Sequence, residues 1–410
     1  MSILTPTTPG ERPLPAVVER RRRRLGEELA DESVPVPLDG ELGATLLAEL
    51  DHARHPEVHE GTASPYGALV LPPDRDLWTG ADTQPVVLGL EHIELADAQR
   101  FADGRSTFVV HVVGGGSALV ALRRPVVHES ALVELGRGTG AYVVQRTDTG
   151  RVRVVCPDGI VTWDSVRWTF KPLAEQYAAP LRRLLPNVSR RALDGLLELA
   201  VHRLSPAGVG ATIVWTLDDD APEHRPGIDL GAAVPSPALR VDDDAHHAAL
   251  VSAASQLDRA VLVGADGLVT RFGVGLLNSA RAEARVPPLG GTRHTSARRY
   301  SYDDPAAVVI VVSEDGPVTV LRGGAPAAEV RIDPCATSIR VSPPPIGSAA
   351  GSIAEVRCPR CEVLLLVDIV HFDGWDGPPE RLTCPVCEHE VVVDEYRAAV
   401  GGVIAGPPPS

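Results

Sequence analysis

The six residues Ala307–Val312 read Ala-Val-Val-Ile-Val-Val, with no polar side chain at any alternate position. Successive side chains of a strand point to opposite faces, so this strand cannot show a face to water and must lie inside a sheet covered on both sides. Ala260–Val263 is a shorter run of the same kind, and residues 210–217 (Gly-Ala-Thr-Ile-Val-Trp-Thr-Leu) predict another strand. Segments of helical spacing alternate with them. Ser189 is placed as an N-cap, with Leu193, Leu196, Leu197, Ala200, Val201 and Leu204 following on one face. Asp242, Asp243 and Asp244 form an acidic cap before a helix reaching Gln256. This alternation predicts an α/β fold, a mixed sheet flanked by helices.

Polar residues able to do chemistry stand at the ends of these runs. Asp258 precedes Ala260–Val263, Ser313 and Glu314 follow Ala307–Val312, and Gly290-Gly291-Thr292-Arg293-His294-Thr295 lies between. The glycines let backbone N–H groups close on an anion, and Thr292 and Thr295 add hydroxyl donors. Arg293 can fork onto phosphate oxygens, and His294 can donate a hydrogen bond or ligate a metal. Taken singly, Arg293-His294 reads as a surface turn and Asp258 as a strand-edge residue. Taken together, each at the end of a predicted element, they read as a polyphosphate site.

Gly291-Thr292-Arg293-His294-Thr295 and Val312-Ser313-Glu314, in this order after an acidic motif, resemble the diadenylate cyclase domain. That domain is shared by the DNA-integrity-scanning cyclases and the membrane-anchored cyclases that make cyclic di-AMP. The family's Asp-Gly-Ala stands here as Asp258-Arg259-Ala260, so a bulky cation replaces a glycine beside the acid. The resemblance covers roughly residues 186–324. It implies that two ATP molecules are joined, each ribose 3′-hydroxyl attacking the other's α-phosphate as pyrophosphate leaves. In that scheme Asp258 serves the 3′-hydroxyl, and Gly291, Thr292, Arg293, His294, Thr295 and Ser313 hold the nucleotide. His294 and Glu314 would hold Mg2+ or Mn2+, and two domains of a homo-oligomer would face each other. The competing expectation is a non-catalytic sensor that binds ATP or a dinucleotide and signals through the C-terminal metal module described next.

That module is expected from Cys358-Pro-Arg-Cys361 and Cys384-Pro-Val-Cys387, separated by 22 residues. The spacing lets four thiolates surround one tetrahedral Zn2+, which predicts a zinc ribbon over residues 355–397. A redox pair is the rival reading, and it would more often open a helix. A proline-rich linker over 331–354 precedes the ribbon, and a disordered tail over 398–410 follows it. Toward the N-terminus, residues 1–40 read as a flexible tail with a short helix, its arginines Arg20 to Arg24 forming a solvated face. Residues 41–172 read as a β-rich sensor domain with no chemical constellation of its own, and 173–330 as the cyclase-like domain. The clearest hairpin is 141–146 with 151–156, continued by Gly159–Trp163. The glycine clusters 114–116 and 136–140 are expected as hairpin turns, and 168–186 as a helical connector. Adjacent His246 and His247 point to different helix faces, so no shared metal site is expected there.

A formal net charge of −15 argues against non-specific adhesion to nucleic acid or anionic lipid. DNA binding is not supported, since no helix-hairpin-helix region is recognisable. No apolar run reaches the ~20 residues of a membrane span, and the first residues lack the apolar core of a secretory signal. Four of six cysteines sit in Cys-x-x-Cys pairs, as metal ligands do in a reducing compartment. A cytoplasmic protein without a membrane anchor is expected.

Overall fold

The structure, a computed structural model, describes residues 16–32, 34–56, 58–59, 62–73, 85–88, 94–218, 220, 222–288, 291–314, 316–328, 352–357, 360, 364–371, 380–383, 390–393 and 398–405. The chain divides into two compact units, one over Met1–Leu173 and one beginning at Ala174.

The first unit opens with α1 (Ala16–Asp31) and α2 (Gly40–Arg54), then a short pair, β1 (Val58–His59) with β2 (Thr62–Ala63). There follow β3 (Tyr66–Leu71), β4 (Val86–Leu88), α3 (Leu95–Ala98), β5 (Thr107–Val112), β6 (Ser117–Ala121) and α4 (Glu129–Thr139). The meander β7 (Tyr142–Arg146), β8 (Val152–Cys156), β9 (Gly159–Trp163) and β10 (Trp168–Pro172) completes it. The strands form one eight-stranded sheet in the order β10-β9-β8-β7-β3-β5-β6-β4, antiparallel except for β3 with β5. Alternation along β3 explains the layers: Ala68 and Val70 pack with Leu25, Leu29, Leu46 and Leu50, while Leu69 and Leu71 pack with Leu132 and Leu135. Helices thus cover both faces, so this unit is α/β rather than simply β-rich.

Three expectations for this unit change. The short helix expected within a flexible tail is α1, and Leu25 and Leu29 give it a buried stripe that packs it into the unit. Its arginines are divided: Arg21 and Arg22 turn to Asp51 of α2, whereas Arg20, Arg23 and Arg24 are exposed. The 136–140 glycines are the end of α4 and not a hairpin turn. Leu132, Val133 and Leu135 supply the helical stripe, and Gly140, at φ +69°, is the left-handed cap. Residues 168–172 are β10, paired with β9, before the connector helix begins.

The unit also buries a polar network that its sequence does not announce. Glu49 accepts hydrogen bonds from Tyr66 and from Gln99 (3.2 Å), and lies 2.8 Å from His111 Nε2. Burial alone would raise its carboxyl, but the hydrogen bond and charge of His111, with the Tyr66 hydroxyl, hold it below the ordinary glutamate range.

The second unit runs α5 (Ala174–Leu184), α6 (Arg190–Leu197), β11 (Ala211–Thr216), β12 (Ile228–Asp229), β13 (Val234–Pro235) and α7 (Asp244–Gln256). It continues with β14 (Ala260–Val263), β15 (Val269–Leu276), α8 (Ala280–Arg285), α9 (Thr292–Asp303), β16 (Ala307–Val312), β17 (Val318–Arg322) and β18 (Ala325–Ala328). The sheet order is β12-β15-β14-β11-β16-β17-β18, with β13 also on β15, and only β11 and β14 are parallel. The wholly buried β16 is central. On one face Val308, Ile310 and Val312 meet Leu193, Leu196 and Leu197; on the other Val309 and Val311 meet Ala297 and Tyr300 of α9. Ser189 caps α6 by accepting from the Ala192 amide (3.3 Å), and Asp243 caps α7 by accepting from the Ala245 amide (3.0 Å). His247 is buried with Nε2 2.7 Å from the Val241 carbonyl, while His246 Nδ1 accepts from the Arg240 amide, so the two diverge.

The far end of α9 is pinned. Arg225 donates in a fork to both oxygens of Asp304 (2.6 Å each) and also to Asp218 (2.6 Å), with the Asp304 side chain only 4% exposed. Tyr300 and the Ala306 amide donate to the same carboxylate, at 3.1 Å each. The hydrogen bond to Asp304 raises the Arg225 guanidinium above its already high range. Replacing Arg225 with methionine strands Asp304, and we expect a loss of about 3–5 kcal/mol in urea unfolding monitored by circular dichroism. An unchanged midpoint would show that Asp304 finds another partner.

Later in the second unit, β19 (Ser352–Arg357), β20 (Leu364–His371) and β23 (Ala398–Ala405) form an antiparallel sheet, and β21 (Glu380–Thr383) pairs with β22 (Glu390–Val393). Residues 398–405 therefore form a strand of that sheet, where a disordered tail was expected. Cys358, Cys361, Cys384 and Cys387 lie outside the described residues, and so does the 331–351 part of the linker. Among the described residues no helix is long and apolar enough to cross a membrane.

Candidate functional site

Strand direction assembles the site. The parallel strands β11 and β14 begin at the same edge of the sheet, with Thr212 opposite Ala260, and antiparallel β16 ends there, with Val312 opposite Ala211. Gly210, Asp258 and Glu314, each just outside its strand, consequently share one rim. The α9 helix brings its N-terminus to the same rim, with Gly291 as an extended N-cap residue that makes no side-chain cap. A helix's first amides have no carbonyl partner within the helix, and its dipole favours negative charge there.

Arg293, in the first turn of α9, is the centre of the arrangement. Its Nη2 lies 3.7 Å from Asp258 Oδ1 and 3.6 Å from Glu314 Oε1. Both contacts are ion pairs longer than hydrogen bonds. The two carboxylates face solvent, at 90% and 73% side-chain exposure, against 31% for Arg293. A cation held from below with two open carboxylates around it can exchange these weak pairs for a phosphate that takes both arms of the fork.

Of the residues expected to form the site, the structure brings Asp258, Arg293 and Glu314 together. Gly291 and Thr292 are exposed at the helix start, and the Thr295 amide closes the first turn on the Gly291 carbonyl (3.1 Å). Gly290 is outside the described residues. His294 is half-buried and sits one position on from Arg293, about 100° round the helix. Ser313 opens a tight turn in which its carbonyl accepts from the Gly316 amide (3.0 Å), and Ser205 Oγ ties that turn down by donating to the Gly316 carbonyl (2.6 Å). This turn fixes where Glu314 leaves the sheet.

Two residues escaped the sequence reading. Gly210 is the floor under Arg293: a Cβ there would sit 2.3 Å from Arg293 Nη1 and 2.8 Å from Glu314 Cγ. The signal was a glycine opening a buried strand, a common mark of close approach. Both obstructing atoms belong to flexible side chains, so Gly210→Ala should fold normally while displacing the guanidinium. We expect about a tenfold or greater loss of nucleotide affinity in calorimetry, with a thermal midpoint near wild type. The second is Asp229, whose carboxylate lies 3.8 Å from Arg259 Nη1. Nothing in the short Ile228–Asp229 strand marks it beforehand. The β14/β15 ladder is irregular beside these residues, shifting register between Ala260 and Leu262, a device that re-aims side chains at sheet rims.

Comparison with known families bears on both units. Residues 198–325 match the family described as DisA bacterial checkpoint controller nucleotide-binding, a span that includes every rim residue named above. Residues 23–172 match the family described as Probable sensor domain DACNK. No curated protein matches the chain. The second unit thus carries a nucleotide-binding domain, and a sensor domain precedes it.

Proposed function

We propose that the second unit is a diadenylate cyclase that condenses two ATP molecules into cyclic di-AMP and two pyrophosphates, regulated by the sensor unit. The observation that carries this reading is the convergence of Asp258, Arg293 and Glu314, from three distant segments, at the N-terminus of α9. In this mechanism the α9 amides and Arg293 take the triphosphate, neutralising charge that grows on the phosphate oxygens as the bond to pyrophosphate breaks. Thr292, Thr295 and Ser313 add hydroxyl donors alongside. Asp258, open to solvent, accepts the proton of the attacking 3′-hydroxyl. One bond from O3′ to the α-phosphorus forms and one bond to pyrophosphate breaks at each site, and two turns close the ring. Since each hydroxyl attacks the nucleotide of the other site, two copies of the chain must bring their rims face to face.

Among the described residues no three His, Cys, Asp or Glu side chains cluster as a metal cage. We assign Mg2+ or Mn2+ to the rim, hard cations that commonly take one or two protein ligands and complete their shell with phosphate oxygens and water. Glu314 and His294 are the residues we assign to hold it, where it would supply further positive charge beside the phosphates. We assign Zn2+ to Cys358, Cys361, Cys384 and Cys387 on their spacing alone. ATP as substrate and reduced thiolates as ligands fit a cytoplasmic location.

Incubating the purified full chain with ATP and Mg2+ or Mn2+, then separating nucleotides by chromatography, tests the reading. Cyclic di-AMP with pyrophosphate in a one-to-two ratio is expected. Saturable ATP binding without product, even at protein concentrations that drive pairing, would instead establish a non-catalytic ATP or dinucleotide sensor. Arg259, in the place of the glycine beside the acid, is the observation that keeps this second reading alive.

A further inference from the structure

Arg259 holds φ at +76°, a left-handed conformation that among the described non-glycine residues only Ser165 and Ala238 share. A long β-unbranched side chain gains nothing locally from this geometry, and such outliers persist where their surroundings hold them. Here the surroundings are identifiable. The Arg259 amide donates to Asp258 Oδ1 (2.9 Å), so the turn that swings Arg259 outward also sets the rim carboxylate. Its half-exposed guanidinium stands 3.8 Å from Asp229 Oδ2. Asp229 is itself fixed: its Oδ1 accepts from the Gly231 amide (3.0 Å), and its carboxylate lies over Gly275, where a Cβ would fall 2.9 Å from Oδ2. A carboxylate held by its neighbours thus faces a half-exposed arginine across a pair too long for a hydrogen bond. Such a pair is weak, and a phosphate with two oxygens in the plane of the fork displaces it readily.

We propose that Arg259 is a second phosphate-binding cation of the nucleotide site, parked on Asp229 and transferred to phosphate oxygens when a polyphosphate occupies the rim. The proposal rests on the nucleotide-binding reading and adds a substrate-positioning role for a residue standing beside the rim carboxylate Asp258. Arg259→Gly is the informative variant, because it removes the cation while relaxing the left-handed backbone and so should not lower the thermal midpoint. In titration calorimetry of the full chain, this variant is expected to bind ATP and inorganic tripolyphosphate about tenfold or more weakly, with adenosine unaffected. Arg259→Lys should recover only part of the loss. Asp229→Asn, which removes the competing acceptor, should tighten tripolyphosphate binding a few-fold, and only while Arg259 is present. Unchanged tripolyphosphate affinity in Arg259→Gly, or an equal loss for adenosine, would overturn the proposal and leave the nucleotide reading intact. Failure of the wild-type chain to bind ATP would overturn both.

Discussion

Asparagine at position 258 will reduce cyclic di-AMP formation by about 10²–10⁴-fold, the range expected when a general base is lost, while ATP affinity stays within about threefold. The carboxamide has nearly the same shape, and its oxygen can still accept the Arg259 amide, so the local turn survives. What disappears is a proton acceptor and a negative charge 3.7 Å from the Arg293 guanidinium. A side chain 90% exposed contributes little to packing, so the thermal midpoint should hardly move. Single-turnover measurements with saturating ATP separate the outcomes. Retained turnover would remove Asp258 from the chemistry and reassign the proton to solvent or to a nucleotide oxygen.

Loss of Arg293 should act on both binding and rate. Alanine there removes the cation with which Asp258 and Glu314 are both paired among the described residues, and leaves two carboxylates facing an incoming triphosphate. Turnover should fall about 10²–10³-fold, as when one donor to a developing oxyanion is removed, and KM for ATP should rise alongside. Lysine should rescue poorly, because a point charge cannot reproduce a fork that packs against Gly210. Near-wild-type kcat with raised KM alone would mean that Arg293 binds the ground state and transition state equally.

How far the sequence foretells this molecule depends on the kind of signal. Ala260–Val263 and Ala307–Val312 were legible to the residue, since an unbroken apolar run bounded by polar residues has few other fates. The Ser189 and Asp243 caps were legible because capping is local chemistry. At α4 the glycine count misled: Gly136 is tolerated inside the helix because a small residue fits there, its notional Cβ only 3.2 Å from Ala141 O and Val143 Cγ2. A helix at the arginines of α1 was legible, but its buried stripe of Leu25 and Leu29 was not, because the prolines that precede it suggested a flexible tail. At the site, Asp258, Arg293 and Glu314 could be nominated from their positions at element ends. Gly210 carried only the general mark of a glycine opening a buried strand, and Asp229 carried none, since its role exists only through neighbours brought by strand register and by the turn at Gly231.

The rim has a consequence for biogenesis. Gly210, Asp258, Arg293 and Glu314 meet only when β16, threaded between β11 and β17, closes the middle of the sheet. These are contacts between segments far apart in sequence, and such contacts form late. A nascent chain still missing Ala307–Val312 at the ribosome has Asp258 and Arg293 but no Glu314 and no Val312 to pair with Ala211. Bound nucleotide would therefore reward a chain whose central strand is already in place, stabilising finished molecules over stalled ones.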